Sequence, residues 1–239
     1  HDGRVLRHVA LPERFGYNRV LSCGAAGELV ALFDRIGPAG SPGRVAHMAA
    51  AVVRVTPERA VGDTLVRLPG TEYYFATAVP GFAPVPLGVK ALAAAGGGFL
   101  YAAQNDGEEI HVIELATGRR MSFRHGLPRP RLTVAARRAA ADEFIASQPQ
   151  ERTRQLLARV LQEARSAAAH PRIMDLMADR SGRLWGRLPS AEPGSSVVWQ
   201  GRRPDGRHIV SVRMPANVEP LDIGESYIVA VERDALGVP

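Results

Sequence analysis

An eleven-residue phrase occurs at both ends of this chain, as DGRVLRHVALP at residues 2–12 and as DGRHIVSVRMP at residues 205–215. Asp-Gly favours a tight turn, because glycine adopts positive φ without steric cost and aspartate bonds to its own backbone. Apolar and polar residues then roughly alternate, which is the period of a half-buried strand, and the closing proline cannot donate to a sheet ladder. Each copy therefore predicts a turn, an exposed strand and a stop.

Looser copies lie between these two, as GDTLVRLP at residues 62–69 and TGRRMSFRHGLP at residues 117–128. The four closing prolines follow one another at intervals of 57, 59 and 87 residues, and the last interval contains a 40-residue stretch of different composition. Units of about 40–60 residues that each end in a strand are typical of four-stranded propeller blades. We therefore predict an all-β chain that forms a single β-propeller domain over residues 1–239, with about four antiparallel blades.

The two ends of the chain complement each other in this scheme. The first phrase is an outer strand without inner strands, whereas residues 219–223 and 226–232 read as inner strands without an outer pair. In a closed propeller the two termini share one blade, so that no sheet edge stays open. We expect strand 4–11 to pair with residues 219–232.

Residues 131–170 interrupt the strand pattern with helical periodicity, and we expect a helical insertion there. Thr133 can cap a helix over about 134–146, and Pro149 suits the first turn of a second helix. The second helix carries an apolar stripe, which should be buried, and an arginine-rich opposite face. The stripe is Leu157, Val160, Leu161 and Ala164, and the basic face is Arg152, Arg154, Arg159 and Arg165. We expect this face to meet an acidic protein partner or anionic headgroups, although an ordinary solvated face would carry the same charges.

Charge and composition exclude several classes of protein. The net charge is +6, from 29 arginines and a single lysine, Lys90. This usage is typical of a GC-rich genome, and no basic run is interleaved with aromatics, so we expect no nucleic-acid partner. The sequence contains no apolar run of about 18 residues, so no transmembrane segment is predicted. The single cysteine, Cys23, excludes an intramolecular disulfide, and we expect it to be a buried small residue.

No catalytic, cofactor-binding or metal-ligating residue is predicted. The seven histidines show no HxxxH spacing, and the acidic run at residues 106–109 lacks the calcium-loop pattern and indicates a hairpin turn. Tyr73, Tyr74 and Phe75 form the densest aromatic patch. Because adjacent residues on a strand cannot all face inward, one of them should be exposed or cover a loop, and Tyr73 and Tyr74 are candidate partner contacts.

Two stretches resemble a known family. DRSGRLWGRL at residues 179–188 resembles the D-x-x-G-x-L-W-V signature of bacterial NHL-type propellers, and residues 214–238 resemble the ending of bacterial six-bladed propeller proteins of unknown function. The resemblance covers most of residues 80–239 and implies a β-propeller that is exported to the periplasm or outside the cell. Family members are longer, so the expectation is a fragment of a six-bladed ring or a shortened ring of about four blades. The sequence starts at His1 rather than Met, so we expect that either a leader was removed or the chain is truncated. The predicted structural residues of its turns and blades are Asp179, Gly182, Trp185, Asp205 and Gly206.

The function that these observations favour is non-enzymatic binding of other protein subunits outside the cytoplasm. One form of this hypothesis is an accessory subunit of a membrane complex, respiratory or photosynthetic. The alternative is a metal-dependent propeller lactonase or lyase, which needs several carboxylates and histidines on inner strands. The predicted inner strands, one of them at residues 87–93, supply only Asp175, Glu219 or Asp222, and Lys90. That set is too small to favour the enzyme.

Overall fold

The computed structural model describes residues 17–23, 28–35, 40–56, 62–129, 131, 133–164, 171–190 and 196–232. Within these ranges the chain forms four antiparallel sheets and two helices. The first sheet contains β1 (Tyr17–Cys23), β2 (Leu29–Arg35), β3 (Val45–Val55), β4 (Thr64–Phe75) and β5 (Phe82–Pro84). The second contains β6 (Ala91–Gly96), β7 (Phe99–Gln104), β8 (Glu109–Glu114) and β9 (Arg120–Arg124). The third contains β10 (Asp175–Ala178), β11 (Leu184–Arg187), β12 (Val197–Arg202) and β13 (His208–Met214), and the fourth β14 (Val218–Ile223) and β15 (Ile228–Glu232).

Strand order follows chain order in every sheet, so each sheet is a meander. The second and third sheets have four antiparallel strands each, which confirms the all-β class and the four-stranded unit. The first strands of three sheets are neighbours, because β6 contacts both β1 and β10. None of the sheets formed by the described residues is closed. The predicted pairing of strand 4–11 lies outside the described residues.

Each pair of successive sheets shares a hydrophobic core. Leu32 and Val52 of the first sheet pack with Leu100 of the second. Tyr101 and Ile110 of the second sheet lie in one hydrophobic cluster with Leu176 and Leu184 of the third sheet. The third and fourth sheets enclose Trp185, Trp199, Met214 and Ile223. Fully burying a side chain of this size is worth about 1.5–3 kcal/mol, so these layers hold the sheets face to face.

The repeated phrase forms the predicted turn and strand where it is described. Gly206 has φ +88°, and Asp205 accepts a hydrogen bond from the Arg207 backbone N–H before β13, the largely exposed edge strand of its sheet. The looser copy at residues 62–69 does not stop at its proline, because β4 continues from Thr64 to Phe75. The register between β3 and β4 shifts after Pro69, and this β-bulge accommodates the proline inside the strand.

The helical insertion forms a hairpin of α1 (Val134–Ala146) and α2 (Glu151–Glu163). The Thr133 side chain accepts a hydrogen bond from the Ala136 N–H, as predicted for the cap of α1. Pro149 is not in the first turn of α2, because extended backbone at Gln150 separates it from the helix. Leu157 and Val160 are buried in one cluster with Tyr74 and Ala83, and Leu161 and Ala164 pack against it. The predicted apolar stripe thus fastens the hairpin to the first sheet.

The predictions for the aromatic patch at residues 73–75 and for Cys23 had different outcomes. Tyr74 is 5% exposed, whereas the Phe75 ring lies over Gly40, so one member of the aromatic patch covers a loop as expected. The prediction that Cys23 is buried was wrong, because it is the exposed last residue of β1, the edge strand of the first sheet.

Candidate functional site

A strained turn precedes β6. Leu87 has φ 58°, a left-handed conformation that costs a leucine about 1–3 kcal/mol and persists only where surrounding contacts enforce it. Glu72 supplies such contacts, because its Oε2 accepts a hydrogen bond from the Val89 N–H at 3.1 Å and its own backbone N–H donates to the Val89 carbonyl. The sequence prediction of a strand over residues 87–93 was wrong for its first part, since β6 begins only at Ala91.

Asn105 fixes the end of the same turn. Its Oδ1 accepts from the Lys90 N–H at 2.9 Å, and its Nδ2 donates to the Gly88 carbonyl at 2.8 Å. Both Asn105 and Glu72 are buried. Two buried polar side chains therefore hold the backbone that follows the strained leucine, from Gly88 to Lys90.

A cavity of about 450 Å³, which we call the Lys90 cavity, lies between this turn and helix α1. The turn and the neighbouring strands form one wall, with Thr71, Leu87, Lys90, Asn105 and Met174 among the lining residues. Residues of α1 and its C-terminal end, Ala140, Glu143, Phe144 and Ser147, form the other wall. An apolar cavity with a few convergent polar groups is the usual form of a ligand site.

Charged side chains gather beside this cavity, where β1, β6 and β10 come together. Arg19 Nη1 lies 3.4 Å from Asp175 Oδ1, and Asp175 pairs with Arg187 in the register of β10 and β11. Burial lowers the pKa of Lys90, the charges of Arg187 and Arg19 lower it further, and Asp175 opposes the change. Lys90 thus interacts with one carboxylate and two guanidinium groups beside the cavity, while the charged residues that line the cavity itself are Lys90 and Glu143.

Two of these cations have unused hydrogen-bonding capacity. Nε of Arg187 is buried and has no hydrogen-bond partner among the described residues. The hydrogen bonds of Lys90 within the same part of the chain are those of its backbone to Asn105. A buried donor without a partner, such as Arg187 Nε, is costly, but Arg187 is not among the residues that line the Lys90 cavity.

A further carboxyl group, that of Asp34, lies behind the cavity wall and contacts Thr71. The Thr71 hydroxyl donates to Asp34 Oδ2 at 2.8 Å, while Asp34 Oδ1 is buried without a partner in the described structure. Burial raises the pKa of Asp34 and outweighs the hydrogen bonds from Thr71. Burial and the charge of Asp34 also raise the pKa of Tyr73, whose ring packs edge-on against Phe82 at 5.5 Å.

The basic face of α2 is the second candidate region. Arg152 and Arg159 are exposed, whereas Arg154 is engaged within the hairpin. Its Nη2 lies 2.7 Å from Glu151 Oε2, and its Nη1 donates to the Gln148 carbonyl at 2.7 Å. Arg165, the fourth arginine predicted to contact a partner, lies outside the described residues. Arg152 and Arg159 are therefore the predicted arginines that face outward, with no side-chain partner among the described residues.

The far end of α2 is fixed by one carboxylate. Glu163 Oε2 accepts hydrogen bonds from the Thr77 hydroxyl at 2.6 Å and the Thr77 N–H at 2.8 Å, and Oε1 accepts from the Ala78 N–H. The bonds from Thr77 lower the pKa of Glu163. Together with the buried Leu157 and Val160, this contact holds α2 against the hairpin of β4 and β5.

The residues predicted to be structural make the expected turns. Asp179 is buried and accepts from the Ser181 N–H and hydroxyl, the Arg183 N–H and Nε, and Trp185 Nε1. Burial alone would raise the pKa of Asp179, but these hydrogen bonds outweigh it and lower the pKa. Gly182 has φ +81°, which suits glycine in this turn. The acidic run at 106–109 lies in the β7–β8 hairpin, where Arg129 pairs with Asp106 and Arg172 with Glu108.

Sequence reasoning missed the Lys90 cavity, although one signal was present. Lys90 is the only lysine beside 29 arginines, and it is the basic residue that this cavity contains. Its surroundings come from residues far apart in sequence, which no local motif connects. Within the described ranges no group of three histidine, cysteine, aspartate or glutamate side chains could hold a metal ion, and no helix there is long and apolar enough to cross a membrane.

No family model, curated protein or solved structure matches this chain.

Proposed function

We propose that this chain is a non-enzymatic binding module of the β-propeller type that acts outside the cytoplasm and holds an acidic protein partner on α2. The propeller arrangement is supported by β1, β6 and β10, because each is the first strand of its sheet and β6 contacts the other two. Inner strands of successive blades are neighbours in this way around a propeller axis.

The observation that carries the function is the asymmetry of α2. One side is anchored by Leu157, Val160 and Glu163, whereas Arg152 and Arg159 are exposed on the remainder. A 40-residue insertion is far longer than a connection between strands needs, and long structured insertions usually serve a function. A rigid helix presents its charges with little loss of conformational freedom on binding, which favours recognition over a merely solvated surface.

The test is the affinity for a deca-glutamate peptide, measured by calorimetry at low salt. Reversing both charges, Arg152→Glu with Arg159→Glu, should weaken binding at least about tenfold, because close charge pairs at interfaces contribute about 1.5 kcal/mol or more each. Salt should weaken binding to the native chain in the same direction.

Two control variants keep the interpretation specific. Arg154→Gln removes a charge already paired with Glu151 and should change the affinity little. Arg203→Glu with Arg207→Glu makes the same net charge change at exposed positions of the β12–β13 turn. If this second pair weakens binding as much as the α2 pair, the peptide senses only net charge and the proposal fails.

A further inference from the structure

We propose that a cleft between the first and second sheets binds a phosphate monoester with an apolar substituent, and that Arg67, Arg120 and His111 hold the phosphate. This site lies on different elements from the arginine face of α2, so the proposal does not depend on partner binding there.

The cleft, which we call the Arg120 cleft, is a cavity of about 420 Å³ between β4 on one side and β8 and β9 on the other. Its volume is within the usual range for small-molecule sites. The outer edge of β4 is open at this point, because β5 pairs only with residues 73–75 of that strand. On the other side, β9 is the last strand of its sheet. The cleft is therefore reached from the surface between two sheet edges.

The strand register directs two basic side chains into the cleft. Arg120 pairs with Ile113 across β8 and β9, so their side chains lie on the same face of the second sheet. His111, two residues before Ile113, lies on that face as well. Ile113 is buried in the cluster that joins the two sheets, so this face is turned toward the first sheet. Arg120 and His111 thus line the cleft from the second sheet, and Arg67 lines it from β4.

The charges of the cleft define the ligand. Among the described residues that line it there are two arginines and one histidine but no aspartate or glutamate. The side chains of Arg67, Arg120 and His111 form no hydrogen bond or ion pair with other described residues. Guanidinium groups bind phosphate oxygens in a bidentate manner, and two of them balance the charge of about −2 that a phosphate monoester carries. A carboxylate has a single charge and would use only half of this capacity.

The floor of the cleft is apolar. Ile113 is buried, and Leu65 and Val66 pack against the same hydrophobic cluster while they line the cleft. The two walls are also tied by a hydrogen bond, because Nη2 of Arg54 in β3 donates to the Leu115 carbonyl, just after β8, at 2.6 Å. The cleft is thus formed before a ligand binds, and its floor offers contact to the organic part of an ester, which inorganic phosphate lacks.

The test is calorimetry at physiological salt with three probes, phenyl phosphate, inorganic phosphate and benzoate. Phenyl phosphate should bind at least about fivefold more tightly than inorganic phosphate, since removing about 40 Å² of apolar surface from water corresponds to this factor. It should bind at least about tenfold more tightly than benzoate, which has the same ring but fewer acceptors and a smaller charge, because a hydrogen bond to a charged group is worth this factor.

Arg120→Gln and Arg67→Gln should each weaken the binding of phenyl phosphate about tenfold, because each removes one guanidinium from the phosphate. Arg119→Gln is the matched control, since it makes the same charge change at the adjacent exposed position, which does not line the cleft. Because exposed charges at a distance are screened by salt, this variant should change the affinity less than about twofold.

A measurement on the native chain needs no variant. Phenyl phosphate should shift the backbone amide NMR signals of β4, β8 and β9 and leave those of β12 and β13 unchanged. The proposal is overturned if phenyl phosphate does not bind, if inorganic phosphate or benzoate binds as tightly, or if Arg120→Gln weakens binding no more than Arg119→Gln does. Shifts in β12 and β13 in place of the strands around the cleft would overturn it as well.

Discussion

Replacing Asp179 by alanine should destabilise the chain more than any other change to a turn predicted from the sequence. The carboxylate accepts five hydrogen bonds of 2.7–3.1 Å from Ser181, Arg183 and Trp185, and its side chain is 1% exposed. Truncation would leave the Trp185 N–H buried without a partner, whereas the Arg183 guanidinium can still reach water. Removing one partner of a buried charged network costs about 3–5 kcal/mol, a large share of a typical total of about 5–15 kcal/mol.

Asp179→Asn keeps the shape and one acceptor but loses the charge, so we expect about 1.5–3 kcal/mol. Asp205 is the control, because it too lies in a turn between two strands and accepts from the N–H two residues ahead, but it is exposed and its side chain accepts only this bond, from Arg207, among the described residues. Asp205→Ala should cost only about 0.5–1.5 kcal/mol.

The assay is urea unfolding followed by the fluorescence of Trp185 and Trp199, which are both in the third sheet. The slope of free energy against urea should be the same for all variants. Because the pKa of Asp179 is lowered by folding, its contribution is complete above the ordinary value of 3.8 and is lost as the pH falls through the lower folded value. An Asp179→Ala variant within about 1 kcal/mol of Asp205→Ala would refute the reasoning, because buried and exposed carboxylates should differ by more than that.

Three further predictions concern the same sheets. In urea unfolding, Gly97→Ala should destabilise the chain far more than Gly98→Ala. Both glycines have positive φ, but a methyl group at Gly97 would lie 2.1 Å from the Gly182 nitrogen, whereas one at Gly98 would meet nothing within 4 Å. Equal losses of stability would contradict the packing of the second sheet on the third. Burial, and to a smaller extent the nearby Arg202 and Arg172, lower the pKa of His125 in the folded chain. The unfolded chain therefore binds more protons below about pH 7, and the free energy of unfolding should decrease as the pH falls to the folded pKa. His125→Gln should flatten this part of the pH profile of stability, and an unchanged profile would contradict the lowered pKa. Leu157→Ala should raise the rate of amide hydrogen exchange throughout α2, since truncating a buried leucine costs about 2–5 kcal/mol. Leu156→Ala, at an exposed position, should leave the exchange rate unchanged. Similar exchange rates in both variants would mean that the apolar stripe does not anchor the helix.

The sequence was informative wherever the determinants were local. Asp179 with Gly182, and Asp205 with Gly206, specify their turns because the bonding partners lie within a few residues. Thr133 marked the start of α1 for the same reason. The continuation of β4 beyond Pro69 was not predictable in this way, since the bulge that accommodates the proline depends on the register with β3.

The candidate site was predicted only in part. The arginines of α2 follow from helical periodicity, but the pairing of Arg154 with Glu151 and Gln148 depends on the end of the helix. The Lys90 cavity depends on Glu72, Asn105 and α1, which come from different sheets and from the insertion. Such a site is a product of tertiary packing, and only the isolated lysine pointed to it.

The predicted gathering of cations around Lys90 is tested most directly by its pH titration, followed by NMR after selective labelling of lysine with ¹³C. Lys90 is the only lysine of the chain, so the labelled sample gives a single lysine side chain to follow. If the starts of β1, β6 and β10 gather cations around a half-buried lysine, its pKa lies below the ordinary 10.5 and rises when Arg187 is replaced by methionine, because one of the cations that depress it is gone. A pKa at or above 10.5 that does not respond to this replacement would contradict the arrangement of charges on which the site rests.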